Sequence, residues 1–181
     1  MKNTIALLIV LGTLLTGCGS ILSEEAHVVL IARTEPIQVT VFPVHVVLGD
    51  SAIVHDNALT TDLVDWLRAN GLAQPVQAGT PAEVPIQWGR NQAAMLRRSA
   101  EAFAGLMAAD PPQTGYALMV EILSNRTESW VGGIHYYLVD QEGRLAAVGL
   151  TNSHWKEFQQ VKPKDRAAGL EVLKLMLREG W

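Results

Sequence analysis

A chain of 181 residues with 14 basic against 18 acidic side chains, and a formal net charge of −4, has no basic excess with which to hold nucleic acid or an anionic membrane surface. Its one cysteine excludes an internal disulfide, and its length suits a single domain with a sizeable core. No internal repeat, coiled-coil heptad or low-complexity tract interrupts it.

The first element is an address label. Lys2 precedes an apolar run from Ile5 to Leu15, and Leu15-Thr16-Gly17-Cys18 follows, with the only cysteine in last place. The run is about half of the ~20 residues that a membrane-spanning helix needs, so with its cationic start and small-residue end it reads as an export signal. Leu-Thr-Gly-Cys resembles the lipobox of bacterial lipoproteins. The resemblance implies a signal peptide over residues 1–17, cleavage before Cys18, and acyl chains, palmitate among them, on the cysteine. Gly19 and Ser20 replace the Asp that in this family often marks retention at the inner membrane, which implies the outer membrane and its periplasmic face. Two or more acyl chains hold a protein stably where one holds it marginally. Cleavage also removes Lys2 and leaves the mature chain one unit more acidic.

Residues 18–35 read as the lipidated N-terminus and a short tether, and residues 36–181 as one globular domain. Val28 to Ile31 could form a short buried strand, which would leave a free tether of about 8 residues, roughly 25 Å at full extension. Ile37, Val39, Val41, Phe42, Val44, Val46 and Leu48 form a run too evenly apolar for an edge strand, and Pro43 within it predicts a bulge or an edge-facing end. Asn57 or Thr60 can cap a helix carrying Leu59, Leu63, Trp66 and Leu67, closed by Asn70-Gly71. Pro75, Gly79, Pro81 and Pro85 make residues 72–88 a connection with one short strand around Val76.

Residues 92–109 carry Leu96, Ala100, Phe103 and Met107 on one stripe, an amphipathic helix stopped by Asp110-Pro111-Pro112. Strands are expected over 116–124, 130–140 and 144–151, the last two joined as a hairpin through Asp140 to Gly143. A last helix follows over 163–178, with Pro163 in its first turn. This order predicts an α+β fold: a mixed or antiparallel sheet of about four to five strands with three helices packed on it. The layout is similar to small periplasmic domains of the TolB N-terminal type, seen also in curli-secretion and penicillin-binding-protein-activator lipoproteins. At fold level that implies little about activity.

Several groups invite a chemical reading. Gly49-Asp50-Ser51 resembles the nucleophile block of the SGNH hydrolases, which would make Ser51 the nucleophile of a small envelope esterase. That family's second block places an Asp shortly before a late His, whereas the late His154 is preceded by Thr151, so nothing fixes the imidazole's tautomer, and Gly, Asp and Ser are ordinary turn residues. The histidines at 27, 45, 55, 135 and 154 never fall at zinc-helix spacing. Asp62 and Asp65 read as a solvated helix face, and Lys156, Lys162, Lys164 and Arg166 as a mildly basic, solvated surface.

The richest cluster is aromatic and lies toward the C-terminus. Trp130, His135, Tyr137, His154 and Trp155 are the candidate partner-binding residues, because Trp and Tyr join a large apolar face to a polar tip. Alternation sets Ile134, Tyr136 and Leu138 on one face of a strand and His135 and Tyr137 on the other, so one face can be core while the second carries contacts. Gly132-Gly133 predicts a bulge or a close backbone approach there. The expectation is a non-catalytic, membrane-anchored accessory or docking subunit of an envelope assembly, with a protein partner, possible homo-oligomerisation, no nucleic acid, no cofactor, no metal and no catalytic residue. Its alternative is the Ser51 esterase.

Overall fold

Residues 116–152 form the centre of the molecule, the three-strand meander expected from the sequence. The computed structural model describes residues 20–22, 35–49, 52–86, 91–113 and 115–181. Among them β1 (Ser20–Leu22), β2 (Ile37–Val41), β3 (Val44–Leu48), β4 (Ala52–Asp56), β5 (Ala73–Gln77), β6 (Tyr116–Ser124), β7 (Val131–Asp140) and β8 (Leu145–Asn152) make one mixed sheet. Helices α1 (Asn57–Ala69), α2 (Gln92–Ala109), α3 (Lys156–Val161) and α4 (Arg166–Gly180) cover it. The fold is α+β as expected, with more strands than the four or five that the sequence pattern outlines. Among the described residues, no helix is long and apolar enough to cross a membrane.

The sheet runs β1-β8-β7-β6-β2-β5, with β3 also on β6 and β4 paired to β3. The apolar run from Ile37 is two strands rather than one. Val41 stands opposite Leu118 and His45 opposite Glu121, so three residues of one strand face two of the other at Phe42-Pro43-Val44. The bulge comes where a residue without an N–H cannot serve the ladder. It also resets the alternation, so that Val39 and Val41 before it and Val44 and Val46 after it all enter the same core.

That core lies between one sheet face and helices α1, α3 and α4, and includes Leu63, Leu67, Leu118, Ile122, Ile134, Tyr136, Phe158, Leu170 and Leu173. A second, smaller core lies on the opposite face, where the stripe Leu96, Ala100, Phe103 and Met107 of α2 meets Ala117, Met119, Tyr137 and Val139. Both faces of β6 and β7 are therefore buried. Burial at about 25 cal/mol per Å² of apolar surface makes this two-sided arrangement the main source of stability.

The local signals hold at some helix ends and fail at others. Asn91 caps α2, its side chain accepting from the Ala94 N–H at 2.9 Å, and Gly71, after α1, takes φ +67°. The cap of α1 is Asp56 and not Asn57 or Thr60. Asp56 is the last residue of β4, its backbone is still extended, and its carboxylate accepts from the Leu59 N–H at 3.0 Å. Asp165 caps α4 by accepting from Ala168 N–H at 2.8 Å, so Pro163 precedes the helix instead of entering its first turn. Asp62 is not simply solvated: Lys174 Nζ reaches its carboxylate at 3.0 Å and that of Glu171 at 2.7 Å, tying α1 to α4. The mildly basic surface is solvated as expected, with Lys156, Lys162 and Lys164 exposed; within it Lys156 pairs with Glu179 at 2.9 Å and Arg166 with both Asp56 and Glu128. The strand expected at 28–31 lies outside the described residues; within the expected tether, Ser20–Leu22 pairs antiparallel with β8.

Candidate functional site: an exposed tryptophan groove and a buried polar row

The β6–β7 connection builds its own scaffold. Asn125 Oδ1 accepts from the Ser129 N–H at 2.9 Å while its amide donates to Ser129 Oγ at 3.0 Å, and its carbonyl accepts from the Glu128 N–H at 3.0 Å. Glu128 takes a left-handed backbone, φ +52°, and its carboxylate is held by Arg166 Nε at 3.2 Å. Arg166 also pairs with Asp56 at 3.1 Å, so one guanidinium fixes this turn to the start of α1. The Trp130 carbonyl accepts from Ser124 Oγ at 2.9 Å and from the Asn125 N–H at 3.2 Å. Its backbone is fixed and its side chain is free to project, 57% exposed.

Next to it the strand carries a bulge, as Gly132-Gly133 predicts. Ser124 pairs with Val131 and Leu123 with Gly133, leaving Gly132 as the extra residue. The Trp130 indole occupies the space above Gly132, and the Gln92 side chain occupies the space above Gly133. Val47, Gly49, Gln92, Met95, Leu123, Ser124, Trp130 and Gly132 line a mainly apolar groove of about 410 Å³. Gln92 Oε1 accepts from Asn152 Nδ2 at 2.7 Å, while its Nε2 is buried without a partner.

Two of the expected contact residues lie elsewhere. His135 and Tyr137 are fully buried on the face that α2 covers, which removes them from any accessible surface. They join Glu121 instead: the Tyr137 hydroxyl donates to Glu121 Oε2 at 2.6 Å, and His135 Nδ1 lies 3.2 Å from that oxygen and 3.2 Å from the hydroxyl. Burial alone would push the Glu121 carboxyl up, but the hydrogen bond and charge of His135, the Tyr137 hydroxyl and the nearby His45 outweigh it and hold the group below its ordinary value. Burial, with the charge and hydrogen bond of Glu121, pushes the Tyr137 phenol well above its ordinary value. His45 extends the row on the far side of Glu121. All four side chains are buried; Glu121, Tyr137 and His135 bond to one another, while both ring nitrogens of His45 and Nε2 of His135 have no hydrogen-bond partner.

His154 is exposed and Trp155 half-buried on the link from β8 to α3, where Asn152 accepts both their backbone N–H groups. The structure thus brings His135 and Tyr137 together inside, and leaves Trp130, His154 and Trp155 at the surface. Among the described residues no group of three or more His, Cys, Asp or Glu is placed to hold a metal ion. Cys18 and Ser51 lie outside the described residues. Glu121 and His45 are site residues that the sequence reading misses. Their signal is a polar residue in mid-strand with apolar neighbours on both sides, Val-Glu-Ile and Val-His-Val.

No protein-family model matches the chain, and no curated protein does. Among solved structures it is similar to the dodecamer of a PelC point variant from Paraburkholderia phytofirmans, at 14% identity over 81% of this chain and 90% of that one, with a TM-score of 0.40. It is similar also to the LpoB C-terminal domain from Salmonella enterica, at 18% identity over 70% and 89% with a TM-score of 0.40. The corresponding domain from Escherichia coli gives 14% identity over 71% and 96%, with a TM-score of 0.31. Likeness at this level carries no statement about activity or partner.

Proposed function

We propose that this chain is a non-catalytic accessory protein of the bacterial cell envelope, anchored through acyl chains on Cys18 at the periplasmic face of the outer membrane. It docks on a protein partner through the groove beside Trp130. The observation that carries the docking reading is the exposure of Trp130 on a rigid turn at the rim of an apolar groove. Exposed singly, an apolar residue needs no explanation, but a large aromatic anchor beside a concave apolar surface is the arrangement on which interface energy concentrates. The lipobox-like Leu15 to Cys18 supports the anchor. The enclosure of Glu121, His135 and Tyr137 supports a role without catalysis.

Two measurements separate the parts of this reading. Mass spectrometry of the membrane-extracted protein should find a di- or triacylated Cys18 at the N-terminus, and Cys18→Ala should release the protein from membranes; an unmodified thiol on a chain that retains residues 1–17 would remove the anchor. A photo-crosslinker at position 130 should capture a defined envelope protein that the same probe at exposed Glu101 does not, and Trp130→Ala should weaken that complex by about 30-fold or more, the scale of an interface hot spot. Unchanged binding with the fold intact would move the docking site elsewhere.

A further inference from the structure

A row of titratable groups crosses four strands. The sheet register sets His55 on β4 beside His45 on β3, His45 beside Glu121 on β6, and Glu121 beside His135 on β7. His55 is exposed and the other three are buried, so the row leads from solvent into the second face of the sheet. The rings of His45 and His55 pack with centroids 4.7 Å apart, tilted by 58°. Neither ring nitrogen of His45 has a hydrogen-bond partner, although the side chain is 0% exposed. β4 is an edge strand paired only with β3, and none of its residues is fully buried.

We propose that His45, packed against His55, forms a proton-operated latch: neutral, its ring holds β4 on β3, and protonated, it releases β4. The nearest carboxylate in the row, Glu121, is held through Oε2 by Tyr137 and His135 and makes no hydrogen bond to His45, so a proton taken up there adds a buried N–H without a partner. His55 stands directly across the β3–β4 pair, where like charges destabilise a cross-strand contact. Burial pulls the His45 imidazole down from 6.5 to about 4, opposed by the charge of Glu121 and assisted by that of His55. The attached form therefore binds protons more weakly than the released form. Attachment is complete above pH 6.5 and weakens as the pH falls toward 4, by at most about 300-fold over that span.

Among the described residues, the other groups that face the row make no hydrogen bond to His45. β7 offers His135 and Tyr137, and α2 offers the buried Ser99 hydroxyl, which hydrogen-bonds to Tyr137. The charged residues of α2, Arg97, Arg98 and Glu101, are exposed. The segment 81–86, which lies against β4, brings Glu83, also exposed, into the shallow hollow that His55 lines.

Backbone amide hydrogen exchange on the full chain, corrected for the intrinsic pH dependence, tests the latch. Protection of β4 amides should fall about 20-fold between pH 7 and pH 5 while the β6–β7 amides keep theirs. His45→Leu should flatten that dependence. His55→Ala, at an exposed site where misfolding is not at issue, should reduce it. Equal β4 protection at the two pH values, or the same fall in both variants as in the parent chain, would overturn the proposal. The latch does not rest on the docking reading, and no partner enters the measurement, so either idea can fail alone.

Discussion

The indole of Trp130 rests over the backbone of Gly132, and a β-carbon built on that glycine would lie 2.6 Å from Cη2 of the ring. The glycine is the extra residue of the β7 bulge, so the chain there both bends and leaves a flat seat for the ring. Gly132→Ala should lift the indole without unfolding the strand, because the displaced group is an exposed ring that can move. Stability should change by no more than about 0.5 kcal/mol, as for a surface substitution. The indole N–H resonance of Trp130 should shift, and partner binding should fall as it does for Trp130→Ala. An unmoved resonance would show that the seat does not position the ring.

A second relationship supports the fold at the Pro43 bulge. Val44, released from the regular ladder, donates its N–H to Thr60 Oγ1 at 2.8 Å, and the same hydroxyl donates to the Asp56 carbonyl at 2.6 Å. Thr60 is fully buried. Thr60→Val keeps the shape and strands the Val44 N–H in the core, which should cost about 1–3 kcal/mol. Thr60→Ser, which keeps the oxygen, should cost less. Urea denaturation midpoints of the two variants check the order, and a Val variant as stable as the parent would remove the hydroxyl from this role.

How far the sequence speaks is clear from where it misleads. The 116–124 strand follows from a near-continuous apolar run and the hairpin through Gly143 from a glycine that adopts φ +75°, both local properties. β4 is hidden in the sequence because Ala52–Asp56 is short, half exposed and ends in the cap of the next helix, so it lacks the apolar repeat of an inner strand. α3 is hidden for a similar reason, a six-residue helix with Phe158 as its one buried side chain. His135 and Tyr137 are expected at a surface because alternation separates two faces of a strand but does not say what covers each. Only the three-dimensional placement of α2 over Tyr137 and Val139 decides that. Trp130 keeps its exposure because it lies in the turn, before the strand begins.

The Glu121–Tyr137 hydrogen bond should give the protein opposite responses at the two ends of the pH scale. The Glu121 carboxyl is held below its ordinary value, so its contribution is present above pH 4.5 and is lost as the pH falls through the folded value. The Tyr137 phenol is held well above 10, so its contribution is present below pH 10 and is lost as the pH rises toward the folded value. Tyr137→Phe should remove the alkaline part and, by taking the 2.6 Å hydrogen bond from a buried carboxylate, cost about 1–3 kcal/mol at neutral pH. Glu121→Gln should remove the acid part. Denaturation series at pH 3.5, 7.5 and 11 on the three chains give the comparison; an alkaline loss that persists in Tyr137→Phe would assign it to another group.

Gly149 should prove far less tolerant than Gly132, although an aromatic ring lies over each. It stands opposite Tyr136 in the β7–β8 register, and a β-carbon there would overlap the Tyr136 ring at Cε1 and Cδ1. Trp130 can swing into solvent, whereas Tyr136 is fully buried in the larger core and can yield only by displacing its neighbours. Overpacking of that kind costs about 1–3 kcal/mol. Gly149→Ala should therefore lower the thermal midpoint by several degrees, since about 1 kcal/mol moves a domain of this size by about 2–4 °C. Shortening the ring's partner tests the cause: in Gly149→Ala combined with Tyr136→Leu the two losses should be clearly less than additive, because the second substitution removes what the first one strikes. Strict additivity in the double variant would mean that the glycine serves the backbone and not the ring.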